Sequence, residues 1–334
     1  KPLHKELERI YNDKYNNFRL KEYDLPAFEH YPNSNTGITL RAHQMKAVQR
    51  SLGESTLYAH QVGTGKTFTM ITTAMEMRRL GIARKPMIVV QNATLEDFVK
   101  DFYKLYPGAN VLAPGKDERS ADNRKRLFNL IATGDFDAII IPQSFMQFIP
   151  DDEGRKKELI QQKIDEYERV IEATENESLR RRLEKEVAGL KDQFEGVEKP
   201  KKRSVKDKAK AENRIKTKME RQFDRRTDDV LTFEQMGIDA LFIDEAHNYK
   251  KIGFASKMSN VKGIDTTASQ RANSLLLKAK WVQEKNNGRN VILATGTPIT
   301  NTMAEVWTMM NFVAPDILEA YSIQTFDEFA TTFG

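Results

Sequence analysis

Five short, continuously apolar runs, at residues 57–59, 87–90, 138–141, 240–243 and 291–294, constrain this chain more than any other feature. Runs without polar alternation read as strands covered on both faces, the mark of a parallel sheet. Amphipathic stretches lie between them. The clearest, residues 67–80, carries Ile71, Ala74 and Met75 on its apolar side and stops at Gly81, a helix terminator. Alternation of this kind predicts a doubly wound α/β fold, with helices on both faces of the sheet.

Two stretches depart from that rhythm. Residues 1–38 read as a polar, helix-forming lead-in interrupted at Pro26 and again over 32–37. Residues 151–229 form an insertion between two blocks of the α/β pattern, 39–150 and 230–318, and 319–334 would begin a connection onward. Within the insertion, Ile160, Ile164, Tyr167 and Ile171 repeat at four- and three-residue spacing, and Leu183, Val187, Leu190 and Phe194 repeat the stripe. A polar turn over 173–177 separates them, with Asn176 or Ser178 as the cap of the second helix. The pair predicts an antiparallel, coiled-coil-like helical hairpin. A basic tract follows between Lys199 and Arg226, thinly opposed by Asp207, Glu212, Glu220 and Asp224. Such runs are commonly solvated faces or linkers, with contact to nucleic acid as the alternative.

Composition narrows the classes. Cysteine is absent, which excludes disulfides and cysteine-bound zinc. No apolar stretch approaches the ~18–20 residues that span a bilayer, so no membrane partner is expected. The first residues, Lys1-Pro2-Leu3-His4-Lys5, are not a signal peptide. Lacking Met, they are expected to belong to a piece of a longer polypeptide, with a cytoplasmic location, nucleoid-associated or viral in origin. The net charge of +5 permits a polyanionic partner without establishing one. His4, His30 and His43 show no metal-ligand spacing and read as structural or exposed.

The strongest chemical signal is Gly63-Thr64-Gly65-Lys66-Thr67, between the first apolar run and the amphipathic stretch. Glycines let successive backbone N–H groups curl towards phosphate oxygens, and the following helix presents its positive end to the same anion. Lys66 would reach the β- and γ-phosphates of a nucleotide and the Thr67 hydroxyl would ligate Mg²⁺. The general pattern wants glycine where this chain has His60. Asp244-Glu245-Ala246-His247 directly follows an apolar run, at the strand end where open α/β sheets bind ligands. There Asp244 would hold magnesium and Glu245 would polarise the attacking water. Thr295-Gly296-Thr297-Pro298 follows the last run; alone it would read equally as a strand-ending turn.

In this order the motifs resemble superfamily-two helicases, and within them the Swi/Snf-like branch. Leu40-Arg41-Ala42-His43-Gln44 is similar to the segment whose glutamine reads adenine in that family, which assigns Gln44 to that role. The stretch from Ala59 to Thr67 is similar to motif I of the branch, which also lacks the first glycine. Asp244 to His247 looks like the DEAH box. Thr295 to Pro298, then Thr300-Asn301 and Glu305-Val306-Trp307, resembles motif III and its helix. The resemblance covers roughly residues 38–318 apart from the insertion, and a finer likeness points to phage or mobile-element helicase and methyltransferase-type proteins.

The resemblance implies a RecA-like P-loop domain that binds ATP and magnesium and hydrolyses ATP. Gly63, Thr64, Gly65, Lys66 and Thr67 would hold the nucleotide, and His247, Thr295, Gly296 and Thr297 would relay its state. It implies a second RecA-like domain of the same polypeptide carrying an arginine finger, without which rates fall ~10³–10⁵-fold. Duplex DNA is the expected partner, with Gln91, Asn92 and Ser144 donating to phosphates on the other rim. The rival reading is a nucleotide-gated binding module without motor activity. A transporter-type ATPase would need an L-S-G-G-Q-like stretch, and the chain has none.

Overall fold

The computed structural model describes residues 2–15, 21–26, 28–115, 121–198, 231–258, 268–300 and 302–333. The basic tract over 199–226 and Asn301 lie outside the described residues. In chain order the helices are α1 (Pro2–Tyr15), α2 (Ala42–Gly53), α3 (Lys66–Arg79), α4 (Leu95–Leu105), α5 (Ala121–Thr133), α6 (Gln143–Met146), α7 (Glu153–Glu172), α8 (Glu177–Glu198), α9 (Gln270–Lys285), α10 (Met303–Val313), α11 (Pro315–Ala320) and α12 (Phe326–Phe333). The strands are β1 (Thr56–Tyr58), β2 (Pro86–Val90), β3 (Val111–Leu112), β4 (Ala138–Pro142), β5 (Ala240–Ile243) and β6 (Val291–Ala294).

All six strands form one parallel sheet in the order β1-β6-β5-β2-β4-β3. Successive side chains of a strand point to opposite faces. Met87, Val89, Ile139, Ile141, Leu241, Ile243, Val291 and Leu293 therefore enter one core, packed by Leu127 and Phe128 of α5, Leu275 of α9 and Phe312 of α10. Ile88, Val90, Ile140, Phe242, Ile292 and Ala294 enter the other, against Met70, Ile71 and Met77 of α3 and Phe98 and Phe102 of α4. Burial on both faces explains why the sequence runs are apolar throughout. Each large aliphatic side chain so buried contributes roughly 1.5–3 kcal/mol. The sequence does not reveal β3, because its two half-buried residues at the sheet edge are too short to show a period.

Helix α3 ends as Gly81 implies. Gly81 adopts φ 71°, its N–H donates to Arg78, and the next N–H, of Ile82, reaches back to Met77. That pair of bonds is a Schellman cap. Helices α7 and α8 pack antiparallel about Ile160, Ile164, Tyr167, Val170, Leu179, Leu183 and Val187. Asn176, rather than Ser178, caps α8: its Oδ1 accepts from the N–H groups of Ser178 (3.0 Å) and Leu179 (3.2 Å). The root of the hairpin is pinned by Asp151, which takes hydrogen bonds from Ser274 and from the fully buried ammonium of Lys278. No helix among the described residues is long and apolar enough to cross a membrane.

Candidate functional site

The loop between β1 and α3 is shaped by two glycines in the left-handed region, Gly63 (φ 82°) and Gly65 (φ 87°). A side chain at Gly65 would be strained by φ and would also lie 2.4 Å from Gln44 Nε2. The loop leads straight into α3 at Lys66, so the first-turn N–H groups of the helix open onto it. Lys66 Nζ donates to the carbonyls of His60 (3.0 Å) and Gln61 (3.2 Å). Thr67 is half-buried at the second position of the helix. Thr64 Oγ1 donates to Gln61 O at 2.7 Å, tightening the bend.

Helix α2 braces this loop from outside. Gln44 is only 5% exposed; its Oε1 accepts from Arg41 N–H at 2.8 Å and its Nε2 donates to Gly65 O at 3.0 Å. Next to it His43 Nε2 donates to Thr64 O at 3.1 Å, a tie the sequence did not suggest. The ring of His60 stacks on Tyr58 and meets His43 edge-on. Burial and the neighbouring His43 and Lys66 hold the His60 imidazole below its usual pKa. The position where glycine was wanted is thus filled by a ring with partners of its own.

Asp244 leaves β5 with its N–H on Val89 O (2.8 Å), and its own carbonyl accepts from Gln143 Nε2 (2.9 Å) at the start of α6. Gln143 was not singled out in the sequence; its one signal is a polar residue placed directly after a buried run. Burial, then the adjacent Glu245 charge, push the Asp244 carboxyl up to about 6. Glu245 sits in the left-handed region at φ 49°, a conformation uncommon for a side-chain-bearing residue. It heads the short 3₁₀ turn Ala246–Tyr249. His247 Nδ1 lies 3.0 Å from Glu245 Oε2 and 3.1 Å from Thr295 Oγ1.

Strand β6 lies between β1 and β5, so its C-terminal end stands between the glycine loop and the acidic pair. Thr295 is buried; its N–H donates to Tyr58 O and its hydroxyl accepts from Thr297 N–H at 3.1 Å. Gly296 passes so close that an added Cβ would come 3.2 Å from Val62 and 3.7 Å from Lys66 Nζ. The 295–297 turn therefore lies beside the lysine on one side and, through His247, reaches Glu245 on the other. Further out, Lys250 Nζ pairs with Glu305 at 3.0 Å, and Glu305 also accepts from Thr300 Oγ1.

The remaining candidates, expected on the other rim, lie instead on another part of the same one, because β2, β4 and β5 run parallel and end at a common edge. Asn92 Nδ2 donates to Ser144 Oγ at 2.9 Å and Ser144 N–H to Asn92 Oδ1 at 3.3 Å, tying the ends of β2 and β4. Both line a cavity of about 410 Å³ together with Leu95, Phe145 and Phe148 and the charged pair Glu96 and Arg124. Gln91 does not line it; its carbonyl accepts from Thr94 N–H at 3.2 Å.

A parallel sheet with helices on both faces and ligand-type groups converging beyond its strand ends defines a doubly wound α/β domain. Residues 50–334 match the family model for a probable helicase domain, and the chain belongs to that family. Over 105 residues it is 32% identical to the defense against restriction protein B of Escherichia phage P1, covering 30% of this chain and 5% of the phage protein. Over 105 residues it is 30% identical to the chromatin-remodeling ATPase INO80 of Candida albicans, covering 31% of this chain and 6% of that protein. The Sulfolobus solfataricus SWI2/SNF2 ATPase core in complex with dsDNA aligns with a TM-score of 0.43 at 15% identity, over 89% of this chain and 40% of that one. The same core domain in a second structure aligns at 0.44 and 14%, over 94% and 41%. The chain thus spans less than half of each solved structure and matches a small fraction of each curated relative.

Proposed function

We propose that this chain is the ATP-binding half of a DNA-dependent ATPase motor, a helicase or duplex DNA translocase. The observation that carries the proposal is the order of neighbours across β6: Lys66 beside the Gly296 turn, then the bonded group of Thr295, His247 and Glu245. It brings a phosphate-type loop and an acidic pair to one rim, as hydrolysis of a triphosphate requires.

In this reading the backbone of residues 63–67 cradles the phosphates, and Lys66 exchanges its two carbonyl partners for phosphate oxygens. The donors suit magnesium: the Thr67 hydroxyl and the Asp244 carboxylate would hold it, and a cation there would offset the burial and, after it, the adjacent Glu245 charge that raise Asp244. When bound, the ion would neutralise phosphate charge. Glu245 orients the water that attacks the γ-phosphorus, with ADP as leaving group. Gln44 keeps one Nε2 hydrogen and one Oε1 lone pair for adenine beyond its two existing bonds.

Thr295, Gly296, Thr297 and His247 then report phosphate loss towards the Asn92, Ser144 and Gln91 half of the rim, where DNA phosphates would lie. Val62 and Ile299 flank the glycine loop with 85% and 57% of their surfaces exposed. Apolar side chains so placed support closure by a second RecA-like domain of the same polypeptide. Lys66→Ala tests the core of the proposal. Removing a charge that pairs with phosphate costs about 2–5 kcal/mol, so ATP affinity should fall well over tenfold with the fold intact. Unchanged affinity in equilibrium titration refutes it.

A further inference from the structure

The inserted hairpin is more than a lateral elaboration, because three side chains of α7 are spent on the backbone that leaves the acidic turn. Lys163 Nζ donates to the carbonyls of Ile252 and Gly253 and to Asn273 Oδ1, the last at 2.9 Å. Glu166 Oε1 accepts the N–H of Ala255 at 3.1 Å, and Tyr167 OH approaches Phe254 O at 3.4 Å. These residues share one face of α7, as i, i+3 and i+4 positions do. Turning charged groups inward costs solvation, and burial lowers Lys163 to about 8 and raises Glu166 to about 7. Apolar contact alone would seat a hairpin; charges aimed at backbone groups also fix the position of the segment they grip.

That segment is short and held along its length. It begins at the 3₁₀ turn following Glu245, where Arg271 donates to Asn248 O at 2.9 Å and Thr308 Oγ1 to Lys250 O at 3.0 Å. Ile252 then bridges Ala268, and Gly253 (φ 70°) passes so close to Ala268 that a Cβ would lie 2.6 Å from its Cβ. Ala255 is buried in the hairpin core, while Phe254 turns the other way onto Phe326, ring centroids 4.6 Å apart. Asp327 of α12 closes the segment by accepting from Ser256 Oγ (2.6 Å) and Lys257 N–H (2.9 Å).

We propose that Lys163, Glu166 and Tyr167 are positioning residues for ATP turnover: through the backbone of residues 252–255 they make the seating of the hairpin set the turn that carries Glu245 and His247. This rests on the ATPase reading above. Whatever engages the hairpin would thereby change turnover without touching the nucleotide.

The test uses the intact protein. Lys163→Met should lower kcat for ATP about fivefold or more while KM stays within about twofold, because the glycine loop that binds phosphates is remote from the clamp. Backbone amides over 250–257 should exchange hydrogen faster, with those of α3 unchanged. Lys163→Arg, which keeps the donors, should recover most of kcat. If Lys163→Met does not fold, Asn273→Ala and Tyr167→Phe, each removing one contact, should show the same split at roughly two- to threefold. Parent-like kcat in a folded variant whose 250–257 amides exchange faster overturns the proposal, as does a rise in KM alone. A parent protein that neither binds nor hydrolyses ATP overturns the ATPase reading itself, and the positioning role falls with it.

Discussion

Thr295 shows how much one hydroxyl can be asked to do in this rim. It is buried, accepts from Thr297 N–H, and lies within hydrogen-bond distance of His247. Thr295→Val keeps the shape and removes the oxygen, leaving the Thr297 N–H short of a partner and His247 Nδ1 with Glu245 alone. Stability should fall by about 0.5–1.5 kcal/mol, the usual net worth of one hydrogen bond whose donor is not deeply buried. If the threonine reports the nucleotide's state, kcat should drop further than KM rises; steady-state kinetics beside a thermal melt separate the two effects. Motif order made Thr295 and Lys66 legible in the sequence, because each follows an apolar run at a fixed offset. Gln44 was legible only in part. Its position was readable, but its bonds to Arg41 and Gly65 depend on how α2 docks against the loop, a long-range fact with no local pattern.

Among the elements, strands buried on both faces announce themselves, since every position is apolar, and Gly81 and Asn176 mark their helix ends through backbone chemistry that acts locally. The α7 clamp is the opposite case. Lys163 and Glu166 fall on the polar side of an amphipathic pattern and read as solvated, because periodicity separates polar from apolar and not exposed from buried. Their burial has a pH signature. The Glu166 carboxyl, ordinarily near 4.5, is raised to about 7 by burial, so the folded chain holds its proton more tightly than the unfolded chain does. The stability from that proton is complete below about pH 4.5 and is lost as pH rises through about 7. Lys163, lowered to about 8, stays charged across this window and does not reverse the sign. Glu166→Gln keeps a neutral side chain at every pH. Denaturant unfolding should therefore show the variant gaining on the parent between pH 4.5 and 7, by at most about 1.4 kcal/mol per unit. A pH-independent difference would mean that Glu166 ionises freely.

For the whole molecule, family membership and the rim geometry support a nucleotide-driven machine, and the question becomes what the nucleotide drives. The cavity side of the rim is lined by Asn92, Ser144 and apolar residues with one cation, Arg124, set against one carboxylate, Glu96, so its lining carries no net charge to hold a polyanion. Affinity for duplex DNA then has to draw on cationic side chains elsewhere, and the densest supply in the sequence is the tract between Lys199 and Arg226. Phosphate contacts release counterions, so the logarithm of the binding constant falls with the logarithm of salt concentration by about 0.9 per contact on duplex DNA. Deleting residues 199–226 from the intact protein should shrink that slope by nearly one unit for each contact the tract makes, while ATP binding at Lys66 stays as it was. An unchanged slope assigns the tract to a linker. If, in addition, duplex DNA fails to stimulate ATP hydrolysis by the intact protein, the nucleotide gates a binding event and does not power movement, because a translocase must couple each turnover to its track.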